Sequence, residues 1–236
     1  MPKMALTNHS LTILHGKDAL KLVNGLSSNK VDTLKNNEVA STIILNKKAK
    51  IIDFIQIFSL NKLVIMIGNM INRQKLCEEI QDKILSQDVK IQDITHLNNV
   101  SIIFDTKLDT EPNSVITIDN KTIVNIEGRY CYEIKSTSIV DTDEYVSEEI
   151  FNHWRIENLV PWYGYEFHEG KNPYRCGLRN YVHENKGCYT GQEILTRMRT
   201  RQNGIFELVR VKNIDDSKIT ISTKGERYCL GLKRVQ

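Results

Sequence analysis

Hydrophobic positions in this chain recur every second residue in short runs and every third or fourth residue between them, so the pattern predicts strands interleaved with a few helices. Residues 10–15 (Ser-Leu-Thr-Ile-Leu-His) predict a strand that Gly16 ends. Leu20, Val23 and Leu26 then follow at helical spacing and stop in the turn-rich Ser27-Ser28-Asn29. Residues 39–45, 51–58 and 63–67 predict three strands, the first two joined by a turn carrying Lys47, Lys48 and Lys50. That turn reads as a solvated hairpin tip. Leu76, Ile80 and Ile84 recur every four residues and predict a helix over 73–87, with Cys77 beside its apolar stripe. Residues 89–94 and 100–104 predict two further strands. This order implies an α+β layer with an antiparallel sheet covered on one face.

Residues 109–114, with Pro112, read as a linker or a crossing point. Beyond it, residues 115–118 and 122–126 flank Asp119-Asn120 as a hairpin, and Tyr130, Tyr132 and Ile134 alternate as a strand. Asp141, Asp143, Glu144, Glu148 and Glu149 gather at the start of a helix marked by Val146, Ile150 and Trp154, where negative charge complements the helix dipole. Residues 155–179 change character. They mix Trp162, Tyr163, Tyr165, Phe167 and Tyr174 with Arg155, Glu166, His168, Arg175 and Arg179. Such a segment reads either as a wall for a planar ligand or as a long loop over the core. The tail predicts short strands at 208–212, 219–222 and 228–232, a small partial β unit.

Between the aromatic segment and the tail lies Lys-Gly-Cys-Tyr-Thr-Gly-Gln-Glu, residues 186–193. Thr190 followed by Glu193 has the form of a capping box, and Ile194, Leu195 and Met198 continue at helical spacing. Cys188 is then expected just before a helix N-terminus, where the dipole and Lys186 favour a thiolate. It reads equally as a small buried hydrophobe. A nucleophilic Cys188 with His183 as base is a further reading. Arg197, Arg199 and Arg201 form a basic patch beyond it, suited to a phosphate or RNA, or simply solvated.

Composition changes this picture only by exclusion. With 236 residues, 40% hydrophobic and 26% charged, the chain has material for a substantial core and is no disordered segment. A formal charge of +3 does not by itself point to nucleic acid. The five cysteines are scattered without CxxC pairs, which predicts reduced thiols and a cytoplasmic protein rather than a disulfide framework or a structural zinc site. No secretory signal and no membrane-spanning run is read, so a soluble protein is expected. The absence of internal repeats excludes solenoids.

The octet 186–193 followed by Arg197 resembles the motif of the folate-binding YgfZ family, which includes a mitochondrial iron-sulfur assembly homologue and is similar in fold to the glycine-cleavage T protein, an aminomethyltransferase. Arg155-Ile156-Glu157 with Pro161, Tyr163, Gly164 and Glu166 resembles that family's RxE...P.YG.E segment. Cys176-Gly177-Leu178 resembles the run before its cysteine loop, and the opening from Leu11 to Val31 resembles its start. The likeness covers about residues 10–205.

The resemblance implies an α+β, aminomethyltransferase (T-protein)-like folate-binding fold with a ferredoxin-like sheet layer and a reduced C-terminal β unit. It divides the chain into a folate-binding region at 1–202, with an inserted α+β subdomain at about 39–110, and a short β unit at 203–236. It implies tetrahydrofolate, or a one-carbon derivative, as cofactor and iron-sulfur client or assembly proteins as partners. It makes Cys188 and Lys186 the reactive pair at the folate channel. Glu133 becomes the pterin carboxylate, and Arg155, Tyr163, Gly187, Tyr189, Gly191, Gln192 and Glu193 the rest of the folate site. The chain departs from the T protein's pattern at Asp53-Phe54, where an Asp-Asp pair is expected, and in its short tail after Gln202. Loss of the second acid speaks against aminomethyl transfer. The rival readings are a folate-dependent one-carbon transferase and an RNA-modification factor.

Overall fold

The computed structural model describes residues 1–107, 109–212 and 218–235. In chain order its elements are β1 (Lys3–Leu6), β2 (His9–His15), α1 (Ala19–Asn24), β3 (Val39–Leu45), β4 (Ile51–Leu60), β5 (Leu63–Asn69), α2 (Arg73–Gln81), β6 (Lys90–Asp93) and β7 (Asn98–Ile103). There follow β8 (Val115–Ile118), β9 (Lys121–Ile126), β10 (Tyr130–Ser136), α3 (Glu148–Glu157), α4 (Gln192–Thr200), β11 (Phe206–Val211), β12 (Ile219–Lys224) and β13 (Cys229–Arg234).

The strands form three antiparallel sheets, ordered β3-β4-β5-β2-β6, β1-β7-β10-β9-β8 and β11-β13-β12. Strand β4 holds them together. Its sequence, Ile-Ile-Asp-Phe-Ile-Gln-Ile-Phe-Ser, is buried throughout, as an almost unbroken apolar run covered on both faces should be. Ile52, Ile55 and Ile57 pack under α1 and α2 with Val23, Leu76 and Ile80. Phe58 joins the core shared with the second sheet, where Leu11, Val39, Ile102, Tyr132, Phe151 and Trp154 meet. Ile51 and Phe54 face the aromatic segment and the 186–193 loop, in a third cluster with Phe167, Tyr174, Leu178, Tyr189 and Leu195.

Several expectations change. Residues 39–110 are not a unit of their own: β3, β4 and β5 share a sheet with β2 and β6, whereas β7 lies in the second sheet. Strand β1, unforeseen in the polar opening, pairs with β7 from Lys3↔Ile103 to Leu6↔Val100. Helix α2 stops at Gln81 instead of running to 87, and the amides of Lys83 and Ile84 bond three residues back in a tightened turn. The 109–114 segment is a crossing point, since Val39 N donates to Asn113 O and Val115 N to Asn37 O, joining two sheets.

The acidic cluster divides. Glu148 and Glu149 occupy the first turn of α3 as expected. Asp141 and Asp143 instead hold the buried ammonium of Lys135 at 2.5 and 2.8 Å, and Asp143 also holds Lys3 at 2.7 Å. Hydrogen bonding to Lys135 keeps both carboxyls below the usual range, Asp141 at about 2. Among the described residues, no helix is long and apolar enough to cross a membrane.

Candidate functional site

Where β2, β4, β5 and β10 meet the aromatic segment they leave a cavity of about 90 Å³. By water-sized volume that is room for roughly six waters. Its walls are aromatic: Phe54 from β4, Tyr130 and Tyr132 from β10, and Trp162, Tyr163 and Phe167 from the segment after α3. The polar groups between them are neutral, namely Asn8, His9, Gln56 and Asn69. No carboxylate lines it among the described residues.

His9 is wedged at this wall against two backbone carbonyls, those of Leu6 and Asn98. Its Nδ1 lies 2.7 Å from the Leu6 carbonyl and so donates. Burial lowers the pKa of His9, so the ring stays neutral.

Asp53 stands behind the wall rather than in it. Period-two alternation turns Phe54 and Gln56 to the cavity and Asp53 to the opposite face of β4. A Cβ added at Gly68 would come 2.5 Å from Asp53 Oδ2, so the glycine is what lets the carboxylate lie against β5. Asp53 accepts from the amides of Phe54 and Asn69 at 3.0 and 2.9 Å and from the Asn69 and Asn72 side chains at 3.0 and 2.9 Å. Burial nevertheless raises its pKa to about 6. Asn72 Oδ1 in turn accepts from Tyr163 OH at 3.1 Å, so this buried acid fixes the orientation of one cavity ring. Phe54 meets Tyr181 with ring centroids 4.7 Å apart. Tyr181 and Arg129 line a larger cleft of about 850 Å³, which shares Pro161 with the cavity.

The 186–193 loop is built on two buried anchors. Lys186 Nζ donates to Asn24 O at 2.6 Å, Asn24 Oδ1 at 3.0 Å, Ser27 O at 2.7 Å and Asn29 O at 3.0 Å, filling the carbonyls left at the end of α1. Burial lowers its pKa to about 8, against the opposing field of Asp32. Tyr189 is buried, with its ring centroid 5.1 Å from that ammonium. Gly187 and Cys188 between them are exposed. Gly191 has φ +81°, and a Cβ there would come 2.8 Å from Asn46 O and 2.9 Å from Ala49 Cα. The loop therefore seats directly on the lysine-bearing β3–β4 turn.

No protein-family model matches the chain, and no curated protein matches it in sequence. In structure it is similar to the glycine cleavage system aminomethyltransferase T from Bartonella henselae, with a TM-score of 0.80 at 12% identity over 99% of this chain and 78% of that one. The fold is aminomethyltransferase-like. A heterotetrameric sarcosine oxidase from Corynebacterium sp. U-96 in complex with pyrrole 2-carboxylate matches 58% of this chain and 75% of that chain, with a TM-score of 0.41 and 10% identity.

Within this aminomethyltransferase-like frame the motif residues scatter. Tyr163 lines the cavity. Glu133 does not: its β10 neighbour Tyr132 takes the cavity face, and Glu133 points the other way to Lys3 at 2.8 Å and Lys121 at 3.6 Å. Arg155 is fully buried away from the cavity, paired to Glu166 at 2.8 Å and hydrogen-bonded to Thr223 at 3.0 Å. Glu166 also accepts from Ser222 and Thr223 of β12, so the pair ties α3 to the C-terminal sheet.

Cys188, Lys186, Gly187, Tyr189, Gly191, Gln192 and Glu193 lie outside the cavity lining. The expected capping box is absent, because Gly191 at positive φ is the N-cap of α4 and no side chain bonds there. Glu193 pairs instead with Arg197 at 2.5 Å, and Arg199 lies 3.6 Å from Glu184. His9, Gln56 and Asn69 were not singled out from sequence. Each sits at an end or a polar break of an apolar strand, and no local spacing marks it.

Proposed function

We propose that the chain binds tetrahydrofolate, or a one-carbon derivative of it, with the pterin in the cavity of Phe54, Tyr132 and Tyr163, and serves as an accessory factor in assembly or repair of iron-sulfur proteins. The observation that carries the folate reading is the cavity itself: aromatic walls for a flat ring, with neutral hydrogen-bonding side chains between them. A reduced pterin presents both donors and acceptors along one edge. Gln56 and Asn69 offer both donors and acceptors to the same edge. The cofactor, when bound, supplies the one-carbon chemistry.

The accessory role draws on the likeness of residues 186–193 to a cysteine-loop family and on the missing acid. With Phe54 at the wall and Asp53 behind it, the described lining has no carboxylate to move a proton at a folate nitrogen. That favours binding over aminomethyl transfer.

Titration calorimetry with tetrahydrofolate tests the folate reading. Binding is expected, and Gln56→Leu should weaken it by roughly tenfold, one lost hydrogen bond. No heat of binding at millimolar ligand overturns it. For the accessory role, cells lacking the protein should lose activity of iron-sulfur enzymes while their apoproteins persist; unchanged activities overturn that part alone.

A further inference from the structure

A second concavity, of about 430 Å³, opens where the C-terminal sheet meets the turn after α4, and it shares no lining residue with the aromatic cavity. Its floor is one face of that sheet. Phe206 stands opposite Arg234 across β11 and β13, and Thr220 opposite Leu232 across β12 and β13. Leu232 and Arg234 are two apart and share a face. Residues directly opposed in an antiparallel pair hold their Cβ atoms about 5 Å apart. The Phe206 ring and the Arg234 side chain are therefore neighbours. The wall is Arg175, whose guanidinium lies across Gly204: a Cβ there would stand 3.6 Å from Nε and 3.8 Å from Nη2.

The lining of this cleft carries cationic charge that it does not itself neutralise. Several arginines elsewhere are matched, Arg129 with Glu127, Arg179 and Arg199 with Glu184, and Arg197 with Glu193. Here two guanidinium groups face a lining without a carboxylate among the described residues, and Arg234 is held only by Asn203 Oδ1 at 3.2 Å. A guanidinium presents a planar fork of N–H donors that fits phosphate oxygens two at a time. Half-buried Phe206 adds a stacking face beside it.

We propose that this cleft binds a nucleotide, its phosphate between Arg175 and Arg234 and its base against Phe206. A free mononucleotide and the terminal nucleotide of an RNA present the same chemistry. The site does not depend on the folate reading.

Calorimetry of the full chain with AMP, inorganic phosphate and a short oligoadenylate tests it. AMP binds, and Arg175→Gln and Arg234→Gln each weaken it by roughly tenfold, the loss of a charge-assisted contact. Phe206→Leu weakens AMP by roughly fivefold or more and leaves inorganic phosphate within about twofold. Equal affinity for AMP and oligoadenylate supports the site with a free nucleotide as its ligand. Tighter, steeply salt-dependent oligoadenylate binding that is lost in Arg175→Gln supports it with RNA. Three results overturn the proposal: no binding of AMP or oligoadenylate at millimolar concentration, inorganic phosphate binding as tightly as AMP, or AMP binding unchanged in Arg175→Gln. Thermal unfolding midpoints of the same variants stay at the wild-type value and show that they remain folded.

Discussion

The rings of Phe54 and Tyr181 pack with centroids 4.7 Å apart and planes inclined at 58°, and Phe167 meets the other side of Phe54 edge-on at 5.3 Å. Tyr181 is held in place by Arg129 Nη2, 3.2 Å from its hydroxyl. The pair separates the small aromatic cavity from the larger cleft. It also occupies the position at which the resemblance calls for a second acid. An acid there would have to sit between aromatic rings, so the replacement is structural as well as chemical.

A carboxylate at this position should therefore be poorly tolerated. Phe54→Asp removes a ring from a packed cluster and buries a charge, a loss of about 3 kcal/mol or more. Phe54→Leu keeps an apolar group and should cost about 1 kcal/mol. Urea unfolding of both variants measures the difference; equal midpoints would show that the ring pair contributes little.

Much of the fold was legible in the sequence because its strands alternate or run apolar over five residues or more, as in Val39–Leu45 and Ile51–Leu60. Sheet membership was not. Whether β7 pairs with β1 and β10 or with the sheet before it depends on contacts about a hundred residues apart in sequence, such as Lys3↔Ile103, which no local pattern carries. The site was legible in part. Tyr163, one of the expected folate residues, lines the aromatic cavity, while alternation along Tyr130–Ser136 turns Tyr130 and Tyr132, rather than Glu133, toward it. The 186–193 octet was visible as a motif. Its anchoring on the carbonyls of Asn24, Ser27 and Asn29 was not, since those acceptors are backbone atoms.

That anchoring separates the two residues of the motif. Lys186→Met leaves three carbonyls without their shared donor, that of Ser27 buried, and should cost about 2–4 kcal/mol. Cys188→Ser lies on the exposed tip and should change stability by about 0.5 kcal/mol or less. Denaturant midpoints decide. If the lysine variant is as stable as the serine variant, the socket is not a determinant of the loop.

Thiol accessibility follows from the same geometry. Cys188 is exposed, Cys77 half-buried, and Cys131, Cys176 and Cys229 buried. Burial also pushes the Cys131 and Cys176 thiols up to about 11. A disulfide reagent at neutral pH should modify one thiol of the native protein quickly, the Cys77 thiol slowly, and the rest only after unfolding. Cys188→Ser should abolish the fast phase; its persistence would contradict the exposed tip.

The Arg155–Glu166 pair predicts a local loss of structure. Glu166→Ala leaves a fully buried guanidinium without its counter-ion, a cost of about 3–5 kcal/mol. Because Glu166 also accepts from Ser222 and Thr223, the C-terminal sheet should loosen first. Limited proteolysis of the variant is expected to cut within 203–235 before it cuts the first two sheets. Uniform cleavage along the chain would mean that the pair does not hold the sheet.

Asp53 predicts a dependence of stability on pH. Its pKa in the folded protein, about 6, lies above the unfolded value of 3.8 because burial disfavours the charge. The folded state then binds the proton more tightly than the unfolded chain does. Its favourable contribution is full below about pH 4 and is lost as pH rises through about 6, by about 3 kcal/mol at most. His9, whose pKa burial lowers, tilts the neighbouring window the other way, since its stabilising contribution is lost as pH falls. The two are separated by difference. Asp53→Asn removes the first slope and keeps the second, so the stability of wild type relative to the variant should fall between pH 4 and 6 and stay level above 7. A constant offset across that range would show that the four donors around Asp53 outweigh its burial and keep it ionised.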